Sequence, residues 1–326
     1  MRFLGPAALT AASLVLLLAT DGLPDGSTAS AAEPVAVAAP GPAGPPPAAA
    51  PAAAPAAAAP LAAAAPPAPA PVVLRATVLA DRSRTRALAA RQVFSGPGFD
   101  ACTAPSPETM AAWKQSSPYG AVGIYVSGGQ RGCSQPRLTA DWVRRIRGMG
   151  WQLMPTHVGL QAPCSTLGNK PKRIDPAGAV RQGQTEAAEA AAALRALGLG
   201  PGSPVYLDIE SYPRGDRACA QSVVDFTVGW TQKLHQEGFR SGFYSSADSG
   251  IADLAAAARA GSSPLPDAIW YARWDGRADT AGVSGLDAGQ WSDRRRIHQY
   301  QGNVQETWGG ATLGIDRNQL DGPVAT

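Results

Sequence analysis

The sequence predicts an α/β protein whose main domain, residues 97–326, is a parallel (β/α)8, TIM-like barrel. Eight strand-like runs follow one another between residues 97 and 316, and helical segments separate most of them. Such alternation over about 250 residues is typical of this barrel. The stretch 275–296 is rich in Gly and Asp. We therefore expect the last units of the barrel to be irregular.

The strands are predicted from short apolar, β-branched or aromatic runs. They are expected at 97–102, 121–127, 151–158, 205–210, 241–246, 268–274, 297–301 and, more weakly, 311–316. Helices between them begin at polar caps and end at glycines. Ser106 with Pro107 should open the first helix, Thr139 or Asp141 should cap the second, and Gly198 should stop an Ala-rich helix at 175–197. Two more helices are expected at 222–237 and 249–260.

The first 96 residues carry signals of export. Arg2, an apolar run and the small residues 29–31 predict a secretory signal peptide over residues 1–31. Residues 32–73 are almost wholly Pro and Ala, which predicts a disordered, polyproline-like linker. An Arg-containing lead-in spans 74–96. No later segment has the roughly 20 apolar residues of a membrane span. We expect a secreted protein, extracellular or wall-associated, with no integral membrane segment after signal removal.

The charge balance is close to neutral, with 28 Lys and Arg against 25 Asp and Glu. The only compact basic run, 294–296, is too short to favour a nucleic-acid partner. We expect a monomer.

A phosphodiesterase-like barrel would need a metal set or paired histidines, and the chain has only His157, His235 and His298. The sequence therefore predicts neither a metal nor a cofactor.

Four cysteines, Cys102, Cys133, Cys164 and Cys219, are widely spaced and include no CxxC pair. This pattern favours disulfides in an oxidising compartment over a zinc site. Three pairings are possible. If successive strands are neighbours, the simplest is Cys102 with Cys133 and Cys164 with Cys219. The disulfides would either hold together the loops around a cleft or serve only to stabilise the fold. In the second case each would contribute about 2 to 4 kcal/mol.

The most informative stretch is 205–210, an apolar run that ends in two carboxylates two residues apart. Residues i and i+2 of a strand share a face, so Asp208 and Glu210 should point the same way. Close carboxylates raise at least one pKa, which suits acid/base chemistry. The alternative is structural, because carboxylates at strand ends often cap a helix or bind loop amides.

Barrel active sites lie at the C-terminal ends of the strands. Asp100 and Asp316 are predicted to reach this rim from the first and last strands, beside the acid pair. Aromatic and imidazole side chains expected at the same rim are Tyr125, His157, Tyr244, Trp274 and Tyr300. Sugars stack on aromatic faces, and glycoside hydrolysis needs paired carboxyls. For His157 the competing interpretation is a satisfied structural histidine, and for the aromatic residues it is packing in the core.

From about Gly98 to the C-terminus, the chain resembles the glycoside-hydrolase-like barrel family of secreted actinobacterial proteins, a domain of unknown function related to the family 25 lysozymes. The matching residues are Gly98-Phe99-Asp100, Gly123-Ile124-Tyr125, Leu207-Asp208-Ile209-Glu210, Gly242-Phe243-Tyr244, Trp270-Tyr271-Ala272-Arg273-Trp274, His298-Gln299-Tyr300 and Gly314-Ile315-Asp316-Arg317-Asn318. Their order and spacing together carry the resemblance.

The resemblance implies a muramidase-like hydrolase acting on bacterial cell-wall glycan. Glu210 matches the general acid, and Asp208 matches the carboxylate that supports the reacting centre as nucleophile or by steadying an acetamido group. Asp100 and Asp316 match two further carboxylates on the floor of the site. The alternative is a non-catalytic module that binds wall glycan through the same rim.

Overall fold

The computed structural model describes residues 92–283 and 285–325. The expected signal peptide, the Pro/Ala linker and residues 74–91 of the lead-in lie outside the described residues. The described strands close into one barrel in chain order, which confirms the predicted fold class. The strands are β1 (Val93–Asp100), β2 (Ala121–Ser127), β3 (Gln152–His157), β4 (Pro204–Asp208), β5 (Arg240–Ser246), β6 (Ala268–Ala272), β7 (Arg296–Trp308) and β8 (Ala311–Pro323).

Five α-helices are described alongside these strands. They are α1 (Pro107–Ser116), α2 (Ala140–Gly148), α3 (Ala179–Ala196), α4 (Arg217–Gln236) and α5 (Gly250–Arg259), and the 3-10 turn Pro176–Gly178 leads into α3. Ser106 caps α1 by accepting a hydrogen bond from the Thr109 N–H, and Thr139 caps α2 in the same way. Helix α4 begins five residues before its predicted start because the Asp216 carboxylate caps it.

The last strand departs from the parallel pattern. Strands β1 to β7 pair in parallel, whereas β8 is antiparallel to both β7 and β1. A turn at Gly309 and Gly310, both with positive φ, joins β7 directly to β8, and glycine adopts this backbone without strain. The expected irregularity is thus confirmed, while the parallel direction expected of the eighth strand is wrong.

The barrel also begins earlier than residue 97. Val93–Gly96, assigned to the lead-in, form the first half of β1 and pair with the end of β8, from Val93 opposite Pro323 to Gly96 opposite Leu320. This partner lies more than 200 residues away in sequence, so no local pattern marks the boundary.

Apolar side chains form two layers. Inside the barrel, a buried apolar cluster includes Met154, Tyr206, Trp270, Ile297 and Leu320. A larger cluster packs the outer face of the strands against the helices. Trp270 therefore fills the barrel, as expected. No helix among the described residues is both long and apolar enough to cross a membrane.

Two disulfides tie loops beyond the C-terminal ends of the parallel strands. Cys102 is bonded to Cys133 and Cys164 to Cys219, with Cα–Cα separations of 5.6 and 5.8 Å. This is the pairing expected if successive strands are neighbours. The first bridge joins the loops after β1 and β2, and the second joins the loop after β3 to the first turn of α4.

Helices α3 and α4 approach closely at two glycines. A Cβ atom built on Gly183 would lie 2.0 Å from the Phe226 carbonyl oxygen, and one built on Gly229 would lie 2.0 Å from the Val180 carbonyl oxygen. Backbone atoms cannot yield as a flexible side chain can. The absence of a side chain at these positions therefore sets the spacing of the two helices.

We expect Gly183→Ala to lower the free energy of unfolding by about 1 to 3 kcal/mol, because the added methyl forces α3 and α4 apart. Gly148→Ala is the matched control, since a Cβ there meets nothing within 4 Å; it should be neutral or stabilising by up to about 1 kcal/mol. Denaturant unfolding of both variants measures this. Equal effects of the two substitutions would contradict the role given to Gly183.

Candidate active site

A cavity of about 870 Å³ opens at the C-terminal ends of the parallel strands. The four predicted carboxylates all line it: Asp100, Asp208, Glu210 and Asp316. They come from β1, from β4 and the residues after it, and from β8. The structure therefore brings together four acidic side chains that are far apart in sequence.

Asp316 reaches the cavity in an unexpected way. In a parallel last strand it would lie at the strand's C-terminal end, but β8 is antiparallel and Asp316 is its sixth residue. The register places Asp316 directly opposite Asp100. The β7–β8 hairpin extends beyond the rim, and β8 runs from it back along the barrel wall. Asp316 therefore lies at the rim although the strand does not end there.

Asp100 is buried within a hydrogen-bond network. Its Oδ1 accepts a hydrogen bond from the Tyr125 hydroxyl at 2.9 Å. Its Oδ2 accepts from Asn318 Nδ2 at 2.7 Å and from Gln299 Nε2 at 3.2 Å. Burial and the nearby Asp316 charge raise the pKa of Asp100 to about 7, against the effect of these hydrogen bonds. Asp100 thus holds its proton to a higher pH than a free aspartic acid does.

Gln299 links the carboxylates to the aromatic wall. Its Nε2 also donates to Asp316 Oδ2 at 3.3 Å, so one amide nitrogen bridges Asp100 and Asp316. Its Oε1 accepts from the Tyr244 hydroxyl at 3.0 Å and from Trp274 Nε1 at 3.1 Å. Gln299 was not among the site residues predicted from the sequence, although alternation along β7 marks either Gln299 or Tyr300 as the inward side chain.

Asp208 is the most deeply placed member of the acid pair. Burial first, then the Glu210 charge, raises the pKa of Asp208 to about 8, while Lys170 acts in the opposite direction. Among the described residues, its Oδ1 has no hydrogen-bond partner. The raised pKa favours the protonated form of Asp208, and its oxygen without a partner suits a polar group of a ligand.

The acid pair is fixed through its backbone and shares one cation. Gln161 accepts a hydrogen bond from the Glu210 N–H at 2.8 Å and donates to the Asp208 carbonyl at 2.9 Å. Lys170 Nζ contacts Glu210 Oε1 and lies 3.7 Å from Asp208 Oδ2. Burial alone would lower the pKa of Lys170, but the two carboxylates raise it overall. Lys170 was also missed, because no pattern in its loop points to the cavity.

Burial raises the pKa of Asp316, as it does the pKa of Asp100 and of Asp208. The hydrogen bond from the Asn303 N–H opposes this rise, and the Glu210 charge adds to it. The Asn303 N–H to Asp316 Oδ1 distance is 2.7 Å. Three of the four carboxyls thus hold protons more strongly than free aspartic acid does.

Three of the five predicted substrate-binding side chains line the cavity: Tyr125, Tyr244 and Trp274. Trp274 stays 57% exposed at the mouth. Its indole lies flat on Gly302, where a Cβ atom would be 2.0 Å from the ring. An exposed aromatic face held by a backbone contact and by Gln299 is suited to stack on a sugar ring.

The other two predicted residues, His157 and Tyr300, are not among the side chains that line the cavity. His157 is fully buried, and its ring nitrogens bond to Ser127 Oγ at 2.8 Å and to Glu186 Oε2 at 3.2 Å. Its ring lies 5.2 Å from that of Trp230 on α4. Tyr300 lies within β7 and is half-buried.

Within residues 92–283 and 285–325, no group of three or more His, Cys, Asp or Glu side chains is arranged to hold a metal ion. The four carboxyls face the cavity as two bridged sets, one joined by Gln299 and the other by Lys170. This arrangement can store protons, donate them and accept hydrogen bonds from a polyhydroxylated ligand.

The raised pKa of Asp208 predicts a pH-dependent stability. The folded protein holds this proton more tightly than the unfolded chain, so the associated stabilisation is complete below about pH 4 and is lost as pH rises towards about 8. Asp208→Asn cannot ionise. From pH 4 to pH 8, its free energy of unfolding should rise relative to the wild type by about 2 to 4 kcal/mol.

Denaturant titrations at several pH values measure this difference. Asp287→Asn is the control, because the Asp287 side chain is 63% exposed. The control's unfolding free energy should follow the wild-type pH curve. A parallel curve for Asp208→Asn would show that Asp208 is ionised at neutral pH.

Comparison with solved structures finds several proteins at low sequence identity. An uncharacterized Bacillus stearothermophilus protein is 18% identical, with 69% of this chain and 95% of that chain covered and a TM-score of 0.46. The Clostridium perfringens spore cortex lytic enzyme SleM is 13% identical, with coverages of 69% and 67% and a TM-score of 0.46. A muramidase from Acremonium alcalophilum is 17% identical, with coverages of 69% and 93% and a TM-score of 0.41.

No curated protein matches the chain. A family model does, over residues 111–320, a span that runs from within α1 to β8 and includes Asp208, Glu210 and Asp316. The resemblance seen in the strand motifs is thereby confirmed. The chain belongs to the family described as the Rv2525c-like, glycoside hydrolase-like domain.

Proposed function

We propose that this protein is a secreted glycoside hydrolase that cleaves bacterial cell-wall glycan in a muramidase-like reaction. The observation that carries the proposal is the convergence of four carboxyls in one cavity, with an exposed tryptophan at its mouth. Burial raises the pKa of Asp208, one of the four, which suits proton transfer. Membership of a glycoside hydrolase-like family supports the reaction class. The choice of wall glycan rests on the resemblance of the strand motifs to those of lysozymes.

The chemistry follows from the positions of the carboxyls. Glu210 lies at the mouth, partly exposed, and in the proposal it protonates the oxygen that leaves as the glycosidic bond breaks. Asp208 lies deeper and supports the sugar carbon, or its acetamido group, as positive charge develops. Asp100 and Asp316 share Gln299 and form the floor, where their charges tune those of the acid pair.

Secretion is part of the proposal. The predicted signal peptide supports it, and so do the two disulfides, which persist in oxidising compartments. The Cys102–Cys133 bridge lies at the cavity, because Cys102 and Gly132 both line it. This disulfide holds the loops after β1 and β2 in place at the edge of the cavity.

One observation favours a second candidate, a non-catalytic protein that binds wall glycan in the same cavity. Lys170 occupies the space beside Glu210, and a carboxylate paired with an ammonium holds no proton for a leaving group. Incubation with insoluble wall polymer separates the two candidates. Binding without release of soluble fragments would select the second.

Glu210→Gln should lower the rate of reducing-end release from purified peptidoglycan by about 100-fold or more, because the amide cannot donate a proton as an acid does. Glu108→Gln is the matched control, since Glu108 lies on α1 with its side chain 76% exposed. The control should retain wild-type activity. Full activity of Glu210→Gln would remove Glu210 from the role of general acid.

Trp274→Ala should weaken binding to soluble wall-glycan fragments by about tenfold, because it removes a large apolar face from the cavity mouth. Val180→Ala is the matched control, because Val180 is also an exposed apolar residue but lies on α3 and not at the cavity. This substitution should leave the affinity unchanged. Titration calorimetry measures both. Unaltered affinity of Trp274→Ala would exclude stacking on this ring.

A further inference from the structure

The loop between β3 and α3 is built to hold one side chain in the cavity. The Cys164–Cys219 bridge fastens the start of the loop to α4. Farther along, the Arg173 guanidinium donates to the carbonyl oxygens of Ser165 at 3.0 Å, Leu167 at 2.7 Å and Lys170. These contacts fold the segment 165–170 around Arg173. They fix the backbone from which Lys170 extends.

The inner edge of the same loop is fastened to the barrel. Gln130 accepts a hydrogen bond from the Lys172 N–H at 2.6 Å and donates to the Lys172 carbonyl at 3.1 Å. The Gln161 N–H donates to that carbonyl at 3.0 Å. Lys170 therefore enters the cavity from a segment that is tied on both sides, and its side chain is only 11% exposed.

We propose that Lys170 is the positioning residue of the acid pair: its ammonium holds Glu210 beside Asp208 and offsets the mutual repulsion of the two carboxyls. The inference deepens the proposed function, on which its catalytic consequence rests. Lys170 contacts Glu210 and lies within ion-pair distance of Asp208, so one cation faces both carboxyls. Within the described cavity lining it is the only cationic side chain.

The other titratable groups facing the pair do not replace this charge. Asp100 of β1 and Asp316 of β8 are acidic, and their ionised forms add to the repulsion. Tyr125 of β2 and Tyr244 of β5 are buried, and burial followed by the nearby carboxylates raises the pKa of each hydroxyl well above its ordinary value. Both tyrosines are therefore neutral, and Lys170 alone compensates the pair.

The arrangement has a consequence for the reaction. While the ammonium is in place, its charge offsets the repulsion between the two carboxyls. When an entering glycan displaces the ammonium, the two carboxyls share one proton, as close carboxylates do. Glu210 can then hold that proton towards the glycosidic oxygen. Lys170 thus couples ligand entry to the acid form of Glu210.

The test follows the titration of Asp208 in the ligand-free protein by NMR of 13C-labelled aspartate carboxyls, with the signal assigned from Asp208→Asn. Lys170→Met removes the charge but keeps the length of the side chain. Half-protonation of Asp208 should then occur at a proton concentration at least about tenfold lower than in the wild type. Lys170→Arg keeps the charge and should stay within about threefold of the wild type. Identical titrations in all three proteins would overturn the proposal.

A second measurement needs no substitution at Lys170, should Lys170→Met fail to fold. In 15N-lysine-labelled wild-type protein, the Lys170 ammonium should give a proton signal protected from exchange by its two carboxylates. Lys172, whose side chain lies outside the cavity, serves as the internal comparison. Exchange of Lys170 as fast as that of Lys172 would show that the ammonium does not engage the pair.

Hydrolysis separates this inference from the proposed function. If the wild type releases reducing ends, Lys170→Met should move the alkaline limb of the kcat/KM profile, which reports the ligand-free enzyme, by the same tenfold or more in proton concentration. Lys170→Arg should restore the wild-type profile. If the wild type is inactive while the NMR titrations differ as expected, the hydrolase proposal fails and the role of Lys170 stands.

Discussion

The structure depends on placing four carboxyl groups in one cavity, where Asp100 and Asp208 are buried and Glu210 and Asp316 are half-buried. Each carboxylate prefers water, and each repels the others. Two features offset this loss of hydration and this repulsion. Asp100 and Asp208 hold protons up to about neutral pH, and the remaining charge is shared with Lys170 or with amide donors. The fold around the cavity can be understood as the support for these donors.

Gln299 shows how closely the site and the fold are connected. It bridges Asp100 and Asp316, and it also holds Tyr244 and Trp274. The same amide therefore orients the floor of the cavity and its aromatic wall. An amide suits this position because it donates and accepts without a charge of its own. Ligand stacking on Trp274 and the protonation of the floor carboxyls are in this way joined through a single side chain.

The antiparallel last strand is a second structural solution. A parallel β8 would need a crossover helix, whereas the β7–β8 hairpin closes the barrel with a two-glycine turn. The hairpin also extends beyond the rim and contributes Asn303, Gln305 and Gly314 to the cavity wall. The departure from the regular barrel therefore enlarges one side of the site.

The strand order, the helix caps, the simplest cysteine pairing and the position of four acidic residues at one rim could all be predicted from local patterns and strand periodicity. The face of each strand that looks into the barrel could not be predicted in this way, and the folded chain places Gln299 in the cavity lining but not His157 or Tyr300. The tertiary structure also decided the direction of β8 and the placement of Lys170. These features depend on contacts between segments far apart in the chain, and no local pattern encodes such contacts.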